Sequence, residues 1–441
     1  MYQQDILMQL FSKIFSLLIT IAIIISCNTE SDKKDDEKIL QHHSFRQAAE
    51  FEQMDAIWLL YPQITHKNGF SNEAAEAAII KALVPSVKIK WIVPNDSIRE
   101  LAIKLIPDSL IKNGLVTFFI FPYSQFWARD MGPAFLINDN GEKGIADFNF
   151  NIWGYADTTD AMAGLDEKLD ERIAAYYKLP LISTNMVSEG GDHEVNGKGT
   201  LIVCEAVEKQ RNPNMTLQQM ETELKRVLGV EKVIWLQQGV RDDDETFLGP
   251  VTGPGNKPYY TTTTTNGHVD EYARFVNDST ILLAWIDSAD RKNDIERMTG
   301  ERMAVNYQIL KNAAGQDGKP FHIIKVPMPY PVLSTMQPGD GVYDQISEMK
   351  FSDGTIFPKG KTIDVVAAAS YLNFLIANDK VLVAKYWREG MPLKIKRRDE
   401  EAQRILQSAF PGRKIIPIDA LAINFGGGGM HCITMNEPAV R

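Results

Sequence analysis

The sequence predicts an α/β protein folded as one domain, and three observations carry that reading. Short runs of β-branched, aromatic and aliphatic residues at 57–60, 87–93 and 116–121 alternate with helix-compatible stretches at 73–83 and 97–105. Farther along, residues 272–286 and 371–386 each hold two apolar runs around a turn dipeptide, Asn277-Asp278 and Asn378-Asp379, which is the pattern of a hairpin. No Pro-, Gly- or Ser-rich linker divides residues 50–435.

The first segment reads as an address rather than as structure. Lys13 precedes an apolar run at 14–25, short for a bilayer span but suited to a signal-peptide core. Residues 24–27, Ile-Ile-Ser-Cys, resemble a bacterial lipobox, so residues 1–26 are expected to be a lipoprotein signal peptide with Cys27 as the lipidated mature terminus. Met8 would begin a cleaner signal than Met1, and a single anchoring helix is the alternative. Residues 28–38 are rich in Asp, Glu and Lys and cannot bury enough apolar surface to fold, so 27–44 is expected to be a polar tether and 45–441 the folded domain. The expected location is the cell envelope, facing outward, with membrane contact through the lipid alone.

Inside the domain, residues 200–204 and 232–236 read as strands, Thr216 as the cap of a helix running to 227, and 288–312 as helical. The threonine run 261–265 reads as a loop or strand edge. Residues 242–245, all acidic and close to Gly249, Pro250, Gly253 and Pro254, read as a solvated loop that could repel anions from a nearby mouth.

The composition excludes several classes. The 441 residues carry 47 Lys+Arg against 57 Asp+Glu, a net charge of -10, with 44% hydrophobic and 24% charged residues. That is a globular balance, and its acidity argues against nucleic acid as a partner. The three cysteines, Cys27, Cys204 and Cys432, cannot form a disulfide framework.

Four polar clusters stand out. Trp127-Ala128-Arg129-Asp130-Met131-Gly132-Pro133 follows an apolar strand, at the kind of strand end where chemistry is mounted, with an Arg129–Asp130 turn clamp as the plainer alternative. Glu189-Gly190-Gly191-Asp192 precedes Asn196-Gly197 and suggests a tight turn and hairpin. In Gly267-His268-Val269-Asp270, strand-like alternation would turn His268 and Asp270 to one side. The fourth cluster is the glycine run 426–429 followed by Met430-His431-Cys432. Consecutive glycines are costly to order and mark places of close approach, which favours Cys432 as an accessible, reactive thiol over an inert buried one. Cys204 sits inside an apolar strand and reads as core, and His268 is a better partner for Cys432 than its neighbour His431, which an extended chain would turn away.

These clusters, together with Phe148-Asn149-Phe150-Asn151-Ile152-Trp153-Gly154 and Ser370-Tyr371-Leu372-Asn373-Phe374, occur in the order seen in the agmatine deiminase and bacterial (porphyromonad) type peptidylarginine deiminase family, which the chain resembles over about residues 50–438. The resemblance implies a pentein fold, a five-bladed α/β propeller with its site on the central axis. It implies hydrolysis of a guanidinium group, of agmatine or peptidyl-arginine, to N-carbamoylputrescine or citrulline with release of ammonia, and neither a catalytic metal nor a cofactor. By motif, Cys432 resembles the nucleophile, His268 the general acid/base, and Asp130 and Asp270 the carboxylates that hold the guanidinium. Asn373 resembles a residue supporting the nucleophile, Glu189 a site carboxylate and Trp153 a substrate-contacting aromatic. The chain departs from the agmatine branch at Gly429, Met430 and Met435 and in a longer approach at 241–266, changes that bear on the substrate's tail rather than on the reacting group.

The chemistry suits these residue types. Guanidinium is planar, cationic and edged with N–H donors, so two carboxylates can grip it, each charge contact at ~4 Å contributing about 4 kcal/mol at an effective dielectric of ~20. A thiolate attacks the delocalised carbon better than water and yields a covalent amidino-cysteine, while His268 protonates the departing ammonia and later deprotonates water. Two acids beside Cys432 oppose its ionisation in the free site, so the arriving cation should assist it. Two alternatives use the same residues differently. An amidinotransferase would hand the amidino group to an amine, and a non-catalytic surface lipoprotein would bind guanidino ligands or cationic peptides without needing a nucleophile.

Overall fold

The computed structural model describes residues 45–440. The expected signal peptide, Cys27 and the whole tether lie outside the described residues. Among those residues no helix is long and apolar enough to cross a membrane.

The architecture is a mixed α/β fold in which one hydrogen-bonding pattern recurs in five sheets. In each, a short strand pairs antiparallel with a second strand, which pairs in parallel with a third. The series is Ala134–Ile137, Lys143–Asn149 and Leu181–Val187; Glu194–Val195, Thr200–Cys204 and Lys232–Leu236; Ala273–Phe275, Thr280–Trp285 and His322–Pro327; Leu375–Ala377, Lys380–Ala384 and Lys414–Ile418; and Thr434–Pro438, Met54–Leu60 and Lys88–Val93. Parallel partners need a crossover long enough to hold a helix. Helices fill these crossovers, among them Asn72–Leu83, Ala161–Tyr177, Leu217–Leu228, Asp294–Asn312 and Leu393–Ala409. The last series joins the two ends of the domain, with Trp58 opposite Met435 and its indole N–H donating to Glu437 over 2.8 Å.

Local sequence explains the ends of these elements. Ser71, Asp160 and Asn293 cap their helices with side-chain oxygens, and Thr216 with Gln219 forms a complete capping box, each cap contributing about 1 kcal/mol. Strands Thr200–Cys204 and Lys232–Leu236 lie where the residues predicted them, and both turn dipeptides join antiparallel strands. A cluster of buried apolar side chains runs from Met54 to Met435, with Trp58 and Trp91 at 0% exposure.

A sixth sheet stands outside the pattern. Val251–Gly253, Lys257–Thr261, Ile363–Val366 and Leu333–Met336 pair with one another and carry their own small core. The threonine run therefore begins as the end of a strand and continues as a buried loop.

Candidate active site

Five turns supply the site, each just ahead of the first short strand of its sheet. The helix Ala128–Met131 precedes Ala134–Ile137, the turn Gly190–Asp192 precedes Glu194–Val195, and Val269–Glu271 precedes Ala273–Phe275. Residues 370–374 precede Leu375–Ala377, and 426–433 precede Thr434–Pro438. Equivalent positions in a repeated pattern thus deliver Asp130, Glu189, Asp270, Asn373 and Cys432.

The nucleophile side is built around the glycine run. Gly427 has φ +103, and a Cβ there would lie 1.9 Å from the Thr263 carbonyl oxygen; a Cβ on Gly429 would lie 2.3 Å from Asn373 Oδ1. The run lets the chain fold against Asn373, which donates from Nδ2 to Cys432 Sγ over 3.1 Å and accepts the His431 N–H at Oδ1 over 2.9 Å. The Gly429 N–H lies 3.4 Å from the same sulfur. Asp270 Oδ2 and Glu271 Oε1 stand 3.6 and 3.9 Å from Sγ. Burial, then Asp270, Glu271 and Asp130, push the Cys432 thiol well above its ordinary pKa, against the pull of the Gly429 N–H. The resting sulfur is a thiol.

Facing it are a histidine and two unlike aspartates. Asp130 accepts from the Trp153 indole over 2.8 Å and from the Gly191 N–H over 2.9 Å; burial pushes its carboxyl up to about 6 although His268 opposes this. His268 Nε2 lies 3.3 Å from Glu189 and Nδ1 lies 3.7 Å from Asp130. Burial works to lower the imidazole, but Asp130 and Glu189 outweigh it and raise it to about 10. Glu189, which burial would raise, is held at about 2 chiefly by Arg211, whose Nε donates to it over 2.8 Å. Burial also works to raise Asp270, yet the hydrogen bond from His431 at 2.7 Å carries it below its usual value. His268 Nδ1 and Asp270 Oδ1 are buried without hydrogen-bond partners. The raised imidazole and thiol favour a protonated His268 and a neutral Cys432, and Asp270 Oδ1 is a buried acceptor lacking a donor, an arrangement that leaves a carboxylate oxygen for the N–H edge of a flat cation. Sγ and the carboxylate oxygens of Asp270 and Glu271 also lie within 4.8 Å of one another, so the same cluster could take a divalent ion.

The profile of the family described as Porphyromonas-type peptidyl-arginine deiminase matches residues 46–248 and 256–438. The chain belongs to this family. It is 30% identical to an agmatine deiminase of Medicago truncatula over 414 residues, covering 90% of this chain and 97% of that protein. It is 29% identical to an agmatine deiminase of Pseudomonas syringae, covering 90% and 96%. The solved agmatine deiminase of Enterococcus faecalis superposes with a TM-score of 0.70 at 26% identity, over 90% of this chain and 96% of that one.

Against the expectations for a member of this deiminase family, the structure brings Asp130, Trp153, Glu189, His268, Asp270, Asn373 and Cys432 together and corrects several local readings. Residues 267–270 are not a strand: His268 leads into the 3-10 turn Val269–Glu271, and the two side chains reach the site by that turn instead of by alternation. Cys432 is only 3% exposed, so the glycine run serves close packing rather than access. Arg129 does not clamp Asp130; it donates to Asn436 Oδ1 over 2.6 Å. Residues 242–245 are buried, not solvated. Asp243 accepts from Thr265 Oγ1 and the N–H groups of Thr265, Gly267 and His268, and so fixes the turn that carries the histidine. Four consecutive acids look like a wet loop because composition does not reveal that backbone donors await Asp243 and that Arg241 and Arg302 await Asp244.

Sequence reasoning missed Glu50, Asp243 and Glu271 and set His431 aside. The glutamate beside Asp270 was a readable signal for Glu271, and Glu50 gave none.

Proposed function

We propose that the chain is a guanidine deiminase, hydrolysing the guanidinium group of agmatine or peptidyl-arginine to N-carbamoylputrescine or citrulline with release of ammonia. One observation carries this: a buried thiol supported by Asn373 lies in one cluster with Asp130, Asp270 and His268, and Asp270 Oδ1 lacks a hydrogen-bond partner.

The steps follow from the geometry. The guanidinium enters between the carboxylates of Asp130 and Asp270, with Trp153 holding Asp130 in place through its indole N–H. Its charge offsets the acids that keep Cys432 protonated, so the thiol ionises with the substrate bound, its proton passing to solvent and returning to the sulfur when the product leaves. The thiolate attacks the guanidinium carbon, and His268 gives its proton to the departing nitrogen, leaving ammonia and a cationic amidino-thioether. Neutral His268 then takes a proton from water, whose oxygen adds to the same carbon. Collapse expels the thiolate and leaves the neutral ureido product, and the second proton of the water leaves with ammonia as ammonium. Glu189, itself fixed by Arg211, keeps the histidine oriented and charged for the first transfer.

The names borne by the Medicago and Pseudomonas relatives favour agmatine as the first substrate to try. An ammonia-release screen over agmatine, free arginine and arginine-terminated peptides, with Cys432→Ala as control, tests the reading. No release from any of them, with a guanidine still bound, would leave a binding protein.

Two further readings belong to this proposal. The five like-patterned sheets are blades of a five-bladed propeller within one domain; in support, the first and last described strands of one sheet close on each other. A crystal structure in which the five sheets do not surround a common axis would sink it. The apolar run before Ser26-Cys27 supports a lipid-anchored, outward-facing protein. Mass spectrometry of the mature terminus checks this, an unmodified methionine being the contrary result.

A further inference from the structure

We propose that Glu50 is a positioning residue for Asp270, the carboxylate that receives the guanidinium, and for the nucleophile at once, acting through His431 and Arg274; this rests on the deiminase reading above. Glu50 lies in the short segment between the strands Arg46–Gln47 and Met54–Leu60, remote in sequence from every motif of the site. Its side chain is 9% exposed and ends two chains of contacts. In the first, Glu50 Oε2 lies 2.8 Å from His431 Nε2, and His431 Nδ1 lies 2.7 Å from Asp270 Oδ2. An imidazole held at both nitrogens cannot turn over. Its orientation commits Asp270 Oδ2 to the ring and leaves Oδ1, which has no partner, to receive a substrate N–H.

In the second chain, Glu50 Oε2 pairs with Arg274 Nη2. Arg274 Nη1 donates to the carbonyls of Leu372 and Phe374 over 2.9 and 2.8 Å, the residues on either side of Asn373. Asn373 in turn donates to Cys432 Sγ. Arg274 is also held by Glu194 over 2.8 Å, and Glu50 Oε1 accepts the Ile376 N–H over 2.7 Å. One carboxylate thus receives an imidazole, a guanidinium and a backbone amide, and both of its oxygens are needed. Replacement by glutamine cannot satisfy all three, because whichever way the amide turns, its NH2 meets a donor.

Comparison of Glu50→Gln with Glu52→Gln tests the role. Glu52 holds the same segment, through Arg46 over 2.8 Å and the Ala49 N–H over 2.8 Å, without touching His431 or Arg274. Three quantities are read beside the melting temperature: kcat and KM for ammonia release, guanidinium affinity in the Cys432→Ala background, and the rate of Cys432 alkylation by iodoacetamide. The expected result for E50Q is a loss of about 10- to 100-fold in kcat/KM, weaker guanidinium binding and slower alkylation, with E52Q unchanged in all three. E50Q behaving like the unsubstituted protein, or both variants losing activity in step with melting temperature, overturns the proposal. If the unsubstituted protein releases no ammonia from any guanidine while alkylation still separates E50Q from E52Q, the deiminase reading falls and the positioning role stands. Should E50Q not fold, His431→Asn cuts the first chain alone. Weaker guanidinium binding with unchanged alkylation then supports the role, and unchanged binding overturns it.

Discussion

Cys204 and Cys432 are both buried at the entrance or exit of a short strand, and burial raises the thiol of each. Cys204 ends the strand Thr200–Cys204 at 0% exposure; its sulfur lies 3.9 Å from the Gln237 carbonyl oxygen, and burial with Asp192 pushes it up to about 12. Cys432 meets an amide donor from Asn373, a backbone N–H from Gly429 and three acids that an incoming cation can neutralise. Burial alone makes an inert sulfur in both regions. Donors stand near both sulfurs, the Tyr272 hydroxyl and the Ala206 and Val207 N–H groups at Cys204 as Asn373 and Gly429 at Cys432; what separates the two is the group of acids around Cys432, Asp270, Glu271 and Asp130, whose charge a cationic substrate can offset.

The largest expected effect breaks the comparison outright. Cys432→Ala should lower kcat by about 10⁴-fold or more in an ammonia assay, as loss of a nucleophile does. Cys204→Ala should leave kcat within about twofold and cost about 1–2 kcal/mol in a denaturant titration, a core effect only. Activity lost at Cys204 instead would invert the argument.

Next comes Asp270→Asn. Losing one buried carboxylate from the cation's grip should cost about 2–4 kcal/mol, roughly 10²- to 10³-fold in kcat/KM, while leaving Cys204 as resistant to alkylation as before. A loss confined to kcat would show that Asp270 serves the sulfur rather than the substrate.

Addition of a guanidinium ion small enough to leave the sulfur accessible should speed Cys432 alkylation about tenfold, one pKa unit of thiol, and leave Cys204 unaltered. Equal rates with and without the ion would remove substrate-assisted ionisation.

The smallest effects are in pH. With Asp130 at about 6 and His268 at about 10, kcat/KM should rise with pH through about 6, as Asp130 ionises to receive the cation, and fall through about 10, as His268 loses its proton. Stability follows the same sign for the histidine. Its folded value lies above the ordinary 6.5, so its contribution is full below 6.5 and lost as pH rises through about 10. The difference in unfolding midpoint between the protein and His268→Gln, followed across that window, checks this.

Much of the local structure was legible from residues a few places apart. Thr216 with Gln219, the strands at 200–204 and 232–236, and the Asn-Asp turns each carry their own signal. The sixth sheet was not legible, because it joins Lys257–Thr261 to Ile363–Val366 across a hundred residues of other structure. The motifs name Asp130, Trp153, Glu189, His268, Asp270, Asn373 and Cys432 but not Glu50 or Glu271, and not how any of them arrives at the site. Alternation along 267–270 predicts a strand where Asp270 stands on a turn, and the run 242–245 predicts a wet loop because the four donors that Asp243 satisfies come from a different segment.

The sequence by itself determined where the chain turns, caps and approaches itself closely, since these depend on backbone freedom and on side chains within one or two turns of each other. Tertiary structure alone decided which protons the site holds. Cys432 and Asp270 are 162 positions apart and Glu50 and His431 are 381 apart, yet they act on one another at 3.6 and 2.8 Å. Charge and desolvation act through space over a few ångströms, and no pattern along the chain encodes that distance.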